Sequence, residues 1–589
     1  MSDMGAKPES LYGKRGPTSL AELSCWPSTV LQSLLCAGDG SDGERMNRLR
    51  ALLQPGLQMY SDYSGLAGEH ELMCQMRFAL GKFAEEHSGA AADFRHVSIL
   101  HSRFCDCGKV QQRVLNHISE QHERHICVLA DINDRLPKEA QSMLDALLPQ
   151  GVTPSAEIAE AYGNMLKWLQ ENRSWVFPVQ PTSHCIVHGQ QCPVFPEERA
   201  LSGTVEAGVA PVRRVRRKLF QSSDSDGGTL KQKLRINIAG TTCCGWSAVG
   251  KRLQLADPSE RPHAIWATER LRRAELNLED LFFSECTPRY PVQMGRSDKL
   301  GFLEETHELR SITVSPLMLG WPVRRSRLFM CGLNKQSLAW VGPEPEDVQE
   351  DFLKFFGVDL QATGDVFLVA EADEVRDVQS KMAARRGFAA TVNQRQLNMH
   401  EIYAPGHLLR YQDYEKHRAE SVESGQVSGE SWFADLDQNM GKGASTPGPV
   451  LPSCLTHGTL HAWSVGRLVL NAERFLAHGF NMYPQKTGWP LACGIQSELR
   501  SLTSSQQQLL LGNGWHLPTL ACWVFYVLSH TVKIDRISSI EPEKTLLRRG
   551  GSRLSGQSRA MSSQSLGSLC DPDFPELFRD SQNSEDVED

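Results

Sequence analysis

The sequence predicts an α/β fold in which a mostly parallel sheet is flanked by helices. Three observations predict it. Residues 51–135 and 234–334 each alternate short apolar runs with helical stretches, the rhythm of βαβ units whose strands run parallel. Small-residue or acidic turns follow several of those runs, at the carboxyl ends of strands, where open α/β sheets bind ligands. With 589 residues, 40% apolar and 22% charged, the chain has a globular composition and is too long for a single core.

Residues 1–50 form an N-terminal extension, poorly periodic, with a short helix expected near Ala21–Leu35. The first block places strands at Gly56–Asp62, Val97–Leu100 and Ile126–Leu129. Residues 136–233 read as an insertion whose second half is a linker, through the basic run Arg213–Lys218 and the Ser/Asp/Gly stretch Ser222–Gly228. The second block places strands at Leu234–Ile238, Leu281–Ser284, Ser311–Val314 and Arg327–Cys331, with a helix from Pro258 onward. Over 335–455 the chain changes character, from acidic helices to a basic loop-rich part and a Gly/Ser/Pro stretch. Residues 491–532 contain the apolar run Leu517–Leu528, too short to cross a bilayer and expected as a core helix. From 533 to 589 Ser, Gly and charge dominate, a composition expected to stay disordered.

Sixteen cysteines without framework spacing suit a reducing compartment, and no basic segment followed by an apolar run suggests a secretory leader. Cytosol and nucleus both meet that expectation; the basic run Arg213–Lys218, read as an import segment, makes the nucleus the expected location and the cytoplasm the alternative. Net charge is −8, so any nucleic-acid contact must use a local basic surface.

The most informative stretch is Ile236–Ser247, a β-branched run ending in a small-residue turn that presents Cys243, with Cys244 as its rival. A buried core cysteine is the plain alternative. Asp62-Tyr63-Ser64-Gly65-Leu66-Ala67-Gly68 follows the first strand, and its glycines let backbone approach a nucleotide-like cofactor. Asp106 follows the second strand, where it also suits a helix N-cap, and Asp131-Ile132 follows the third. Glu285 ends the strand one strand–helix–strand unit after Cys243. Arg325 and Arg327 follow Gly320-Trp321-Pro322; two apart on a strand, they would share a face.

In their order along the chain, these segments resemble the motifs of cytosine-5 DNA methyltransferases. The resemblance extends to Arg467-Leu468, Glu473 and Gly479-Phe480, which resemble the ninth motif, and to Gly512-Asn513-Gly514, which resembles the last. It implies a methyltransferase fold that binds S-adenosyl-L-methionine, with residues 335–490 as an inserted target-recognition domain and 491–532 as the return to the catalytic domain. Tyr63, Ser64, Gly65, Leu66, Gly68, Asp106, Asp131, Ile132 and Asn513 would hold the cofactor. Cys243 would add to C6 of a flipped cytosine, Glu285 would act at N3, and Arg325 and Arg327 would reach the base carbonyl or phosphates. Arg385, Arg386, Arg395 and Arg410 are further phosphate candidates. The sequence departs from the family pattern at Ala67, Asp106, Thr242, Cys286, Thr287 and Val323. An RNA cytosine substrate is the nearest alternative, although the Cys-Phe-Thr signature of the tRNA-acting branch is not found; an inactive nucleic-acid-binding relative is the other.

Two features lie outside the resemblance. His184, Cys185, His188 and Cys192 have a spacing that could hold zinc. No second pair stands nearby, so an ordinary loop is the expected reading and no metal is assigned. The basic run Arg213–Lys218 reads as a nuclear import or phosphate-contact segment, or as a solvated linker.

Overall fold

The strands at the centre of the molecule are buried on both faces, as expected where helices cover a parallel sheet. The structure is a computed structural model describing residues 12–87, 89–122, 126–151, 153–196, 232–241, 244–247, 252–290, 300–388, 397–425, 429–440, 447–454 and 456–534.

Among the described residues nine strands form the main sheet: β1 (Leu57–Asp62), β2 (Ile99–Cys105), β3 (Cys127–Leu129), β4 (Thr182–Cys185), β5 (Gln190–Pro193), β6 (Leu234–Gly240), β7 (Leu281–Cys286), β8 (His307–Val314) and β9 (Arg327–Asn334). Their spatial order is β5-β4-β3-β2-β1-β6-β7-β9-β8. The five strands from β3 to β7 in that order are parallel, while β4, β5, β8 and β9 join through antiparallel pairings. The mostly parallel sheet flanked by helices, expected from the sequence, is the fold observed. From β1 the chain winds outward through β2 and β3, then returns to place β6 on the other side of β1. The carboxyl ends of β1 and β6 therefore flank a topological switch point, where a sheet of this kind opens a crevice.

Two features differ from the local reading. The first half of 136–233, expected as an insertion, joins the main sheet: after the helices Lys138–Leu147 and Ser155–Val176, the hairpin β4–β5 pairs with β3 and widens it. Its strands are short, and the contact that recruits them, Leu129 with Cys185, spans 56 positions, so local pattern could not show it. The single helix expected near Ala21–Leu35 is two, Leu20–Ser24 and Trp26–Leu35, followed by a third at Asp42–Leu53.

The apolar run near 517 is the helix Leu517–Ser529, buried at every residue. It packs against Trp26–Leu35, Asp42–Leu53 and Gly68–Glu86, so the end of the described chain completes a core begun by its start. A smaller antiparallel sheet, Phe433–Asp435, Leu460–Ala462 and Arg467–Leu468, lies within the 335–490 region. It has its own core of Ile402, Tyr403, Tyr414, Ala434, Leu436 and Leu468. Arg467 grips Glu473 through two contacts of 2.8 and 2.7 Å, and Glu473 also accepts the Leu470 and Ala370 amides. This ties the small sheet to the helix Asn471–Ala477. No described helix is long and apolar enough to cross a membrane.

Candidate active site

The turn after β1 is held by the neighbouring strand end. Ser64 Oγ accepts the Cys105 amide at 2.9 Å, and the Gly65 amide donates to Asp106 Oδ2 at 2.9 Å. Tyr63, Gly65 and Ala67 all have positive φ, at 52°, 54° and 58°. Glycine fits that region freely; Ala67 and Tyr63 occupy it against their side chains, so surrounding contacts must enforce the turn. Ala67 and Leu66 are buried, and Gly68 opens the helix Gly68–Glu86. A Cβ on Gly65 would meet only Tyr63 O at 4.0 Å, so the turn faces open space.

Asp106 is not the N-cap of the next helix, Lys109–Gln121, a place that Gly108 holds without a side-chain cap; instead its Oδ1 accepts the Gly108 amide at 2.9 Å while Oδ2 takes that of Gly65. Burial pushes its carboxyl above the ordinary range even though those two amides favour the charged form. Asp131, after β3, accepts the Asn133 amide and side chain on Oδ1, both at 2.9 Å. Ile132 is buried beside it. Tyr63 Oη is buried with no hydrogen-bond partner among the described residues. Burial, together with the Asp62 and Asp131 charges, pushes that phenol well above its usual value. An open turn, an unpartnered buried hydroxyl and two acidic strand ends fit a nucleoside-bearing cofactor.

Beneath this turn lies an ionic cluster that the sequence did not announce. Asp62, fully buried, meets Arg103 and Arg135 and accepts Asn237 Nδ2 at 2.8 Å. Arg135 also reaches Glu269 at 3.0 Å, and Arg270 bridges Glu269 (2.5 Å) and Glu279 (2.8 Å). Burial alone would raise the Asp62 carboxyl, but Arg103 and Arg135 hold it well below the usual range. Arg135 leaves the same loop as Asp131, so the cluster anchors that loop to β1.

On the other side of the switch point, β6 and β7 pair with Gly240 opposite Glu285, and Thr241 Oγ1 donates to Glu285 O at 3.1 Å. The Glu285 carboxylate meets Arg327 Nε at 2.7 Å. Cys243, with Thr242 and Gly250, lies outside the described residues; along the chain it is three residues beyond Gly240. The described chain resumes with the 3-10 turn Cys244–Trp246.

The expectation that Arg325 and Arg327 share a strand face is corrected. β9 starts at Arg327, so period-2 alternation does not apply to Arg325. Arg325 is buried and donates to Gly512 O at 3.1 Å, to Gly514 O and, more weakly, to Cys454 O at 3.4 Å. It thereby clasps the returning segment in which the exposed Asn513 stands. That segment closes on both halves of the crevice. A Cβ on Gly514 would lie 2.8 Å from Leu66 Cδ2, one on Gly68 3.5 Å from Trp515, and one on Gly240 3.0 Å from Trp515 Nε1. Trp515 was not singled out in the sequence, where only its position after Gly512-Asn513-Gly514 marks it. Among the phosphate candidates, Arg386 donates to the His400 and Tyr403 carbonyls and Arg410 to Leu436 O at 2.8 Å, so both brace loops. Arg395 and the run Arg213–Lys218 lie outside the described residues.

No protein-family model matches the chain, and no curated protein matches it. Its structure is similar to that of the Entamoeba histolytica methyltransferase EhMeth, at 10% identity over 80% of this chain and 98% of the other, with a TM-score of 0.32. It is similar also to S. pombe Dnmt2 methyltransferase, at 10% identity, the same coverages and a TM-score of 0.33. A putative DNA modification methyltransferase from an E. coli prophage matches 48% of this chain and 47% of its own, at 13% identity and a TM-score of 0.20.

Proposed function

We propose that the chain is a divergent cytosine-5 methyltransferase that transfers a methyl group from S-adenosylmethionine to C5 of a cytosine in DNA. The observation that carries this reading is the register of β6 and β7. It sets Glu285 opposite Gly240, with Thr241 bonded to the Glu285 carbonyl, at the crevice into which the β1 turn also opens.

When bound, the cofactor supplies an electrophilic methyl carbon. Cys243, as thiolate, would add to cytosine C6 and make C5 nucleophilic. Glu285, oriented by Arg327, would hydrogen-bond or protonate N3 and draw electrons from C6. After C5 is methylated, loss of its proton would return electrons to the ring and expel the thiolate. The base must leave the stack for this to happen. The Tyr63–Gly68 turn, Asp106, Asp131 and the 512–515 return would hold the cofactor. A nuclear location, with Arg213–Lys218 as import segment, belongs to the same reading.

The test is labelled methyl transfer to DNA and RNA pools, with adduct formation on DNA carrying 5-fluorocytosine, whose fluorine blocks the final elimination. A gel-stable adduct formed by the wild type and absent in Cys243→Ala is the expected result. Label entering RNA alone would move the substrate to RNA. No transfer to either pool and no adduct would make the chain a binding protein on a methyltransferase fold.

A further inference from the structure

The edge of the sheet beyond β3 gathers four metal-binding side chains from two distant places in the sequence. The chain pairs Leu129 with Cys185, and the Ile186 amide donates to Val128 O at 2.8 Å, which draws the hairpin turn along β3. The Gly189 amide donates to Cys185 O at 2.9 Å and closes that turn over His188. Within the hairpin, Cys185 opposes Gln190 and Ser183 opposes Cys192, so Cys185 and Cys192 lie on one face. That face is buried and turns toward Cys127 of β3. His184 stands on the opposite, exposed face, so the sequence-proposed donor set is revised: His184 leaves it and Cys127 enters.

The donor geometry is specific. His188 Nδ1 lies 3.6 Å from Cys127 Sγ, 3.3 Å from Cys185 Sγ and 3.4 Å from Cys192 Sγ. All four donor atoms fall within 4.8 Å of one another. A tetrahedral zinc with bonds of about 2.3 Å to sulfur and 2.05 Å to nitrogen has sulfur–nitrogen edges of roughly 3.55 Å and sulfur–sulfur edges of roughly 3.8 Å. A single ring N–H satisfies one acceptor, whereas three near-equal sulfur contacts around one nitrogen are the edges of a coordination tetrahedron. The cysteines involved are free thiols, not disulfides. Thiolate-rich tetrahedral donors select zinc over hard cations, and four protein ligands leave no open position for substrate.

We propose that Cys127, Cys185, His188 and Cys192 bind one structural Zn²⁺ that staples the β4–β5 hairpin to β3. The ion carries no part of the chemistry. It fixes the outer edge of the strand from which Asp131, Ile132 and Arg135 emerge four to eight residues later. The zinc site does not depend on the proposed reaction, and its test reads the metal directly.

Full-length protein purified without chelator should contain one zinc per chain by elemental analysis. X-ray absorption at the zinc edge should show three sulfur and one nitrogen neighbours. Co²⁺ added to chelator-treated protein should give the visible bands of a tetrahedral site and thiolate-to-metal charge transfer. Cys127→Ala and Cys192→Ala should each lose the metal equivalent, whereas His184→Ala and His188→Cys should keep it. The wild-type spectra decide the matter even if an alanine variant does not fold. Substoichiometric zinc with no tetrahedral Co²⁺ spectrum would overturn the proposal, as would a disulfide among these cysteines in metal-free protein, or full zinc retention in Cys127→Ala.

Discussion

Replacing Arg325 by methionine separates two roles that one arginine at this place can have. Met keeps much of the aliphatic stem and removes the charged donors. In the structure those donors serve the carbonyls of Gly512 and Gly514, and more weakly Cys454 O at 3.4 Å. A hydrogen bond from a charged group contributes about 1.5–3 kcal/mol, and a buried carbonyl left without its donor costs about as much. Counting the two stronger bonds, the variant should lose roughly 3–6 kcal/mol. At about 2 °C per kcal/mol, the low end of the range for larger domains, the melting temperature should fall by roughly 6–12 °C. Because the freed segment packs through Gly514 and Trp515 on Leu66, Gly68 and Gly240, S-adenosylmethionine affinity should fall with it. Thermal unfolding and calorimetric titration of the same preparations check both. An unchanged melting temperature and unchanged cofactor affinity, with a raised KM for nucleic acid alone, would refute the clasp and return Arg325 to substrate contact.

Two further outcomes follow from the same site. Burial pushes the Glu69 carboxyl, in the first turn of Gly68–Glu86, from 4.5 up to about 7. Its neutral form therefore suits the fold, and stability declines as pH rises from about 4.5 through 7, by at most about 3 kcal/mol. Glu69→Gln should remove that decline, so its melting temperature should gain on the wild type between pH 5 and pH 8; a constant difference across that window would refute the assignment. Asp131→Ala should weaken S-adenosylmethionine binding by about 10–100-fold, the worth of one charged hydrogen bond, and calorimetry showing wild-type affinity would remove Asp131 from the cofactor site.

The sequence by itself determined the parts of this protein that local periodicity and turn chemistry encode. The strands expected at Gly56–Asp62, Leu234–Ile238 and Leu281–Ser284 are β1, β6 and β7, which pair in parallel and are buried on both faces. The glycine-bearing turn after β1, the acid next to the end of β7 and the core helix Leu517–Ser529 were legible for the same reason. Each is set by residues within a few positions of one another. Tertiary structure alone decided which polar groups meet. Arg325 reads as a strand residue on the same face as Arg327 until β9 is seen to start at Arg327, and Arg325 turns instead to the 512–514 carbonyls. Asp62 reads as the opening of a cofactor turn, yet buried Arg103, Arg135 and Arg270 converge around it from three other elements. Cys127 has no metal partner nearby in sequence, and its three companions lie 58–65 positions away until an antiparallel edge pairing folds them together. Backbone pattern fixes where a strand runs. The partners of a buried charge or thiol depend on long-range register, because burying such a group is costly unless distant chain segments arrive to satisfy it.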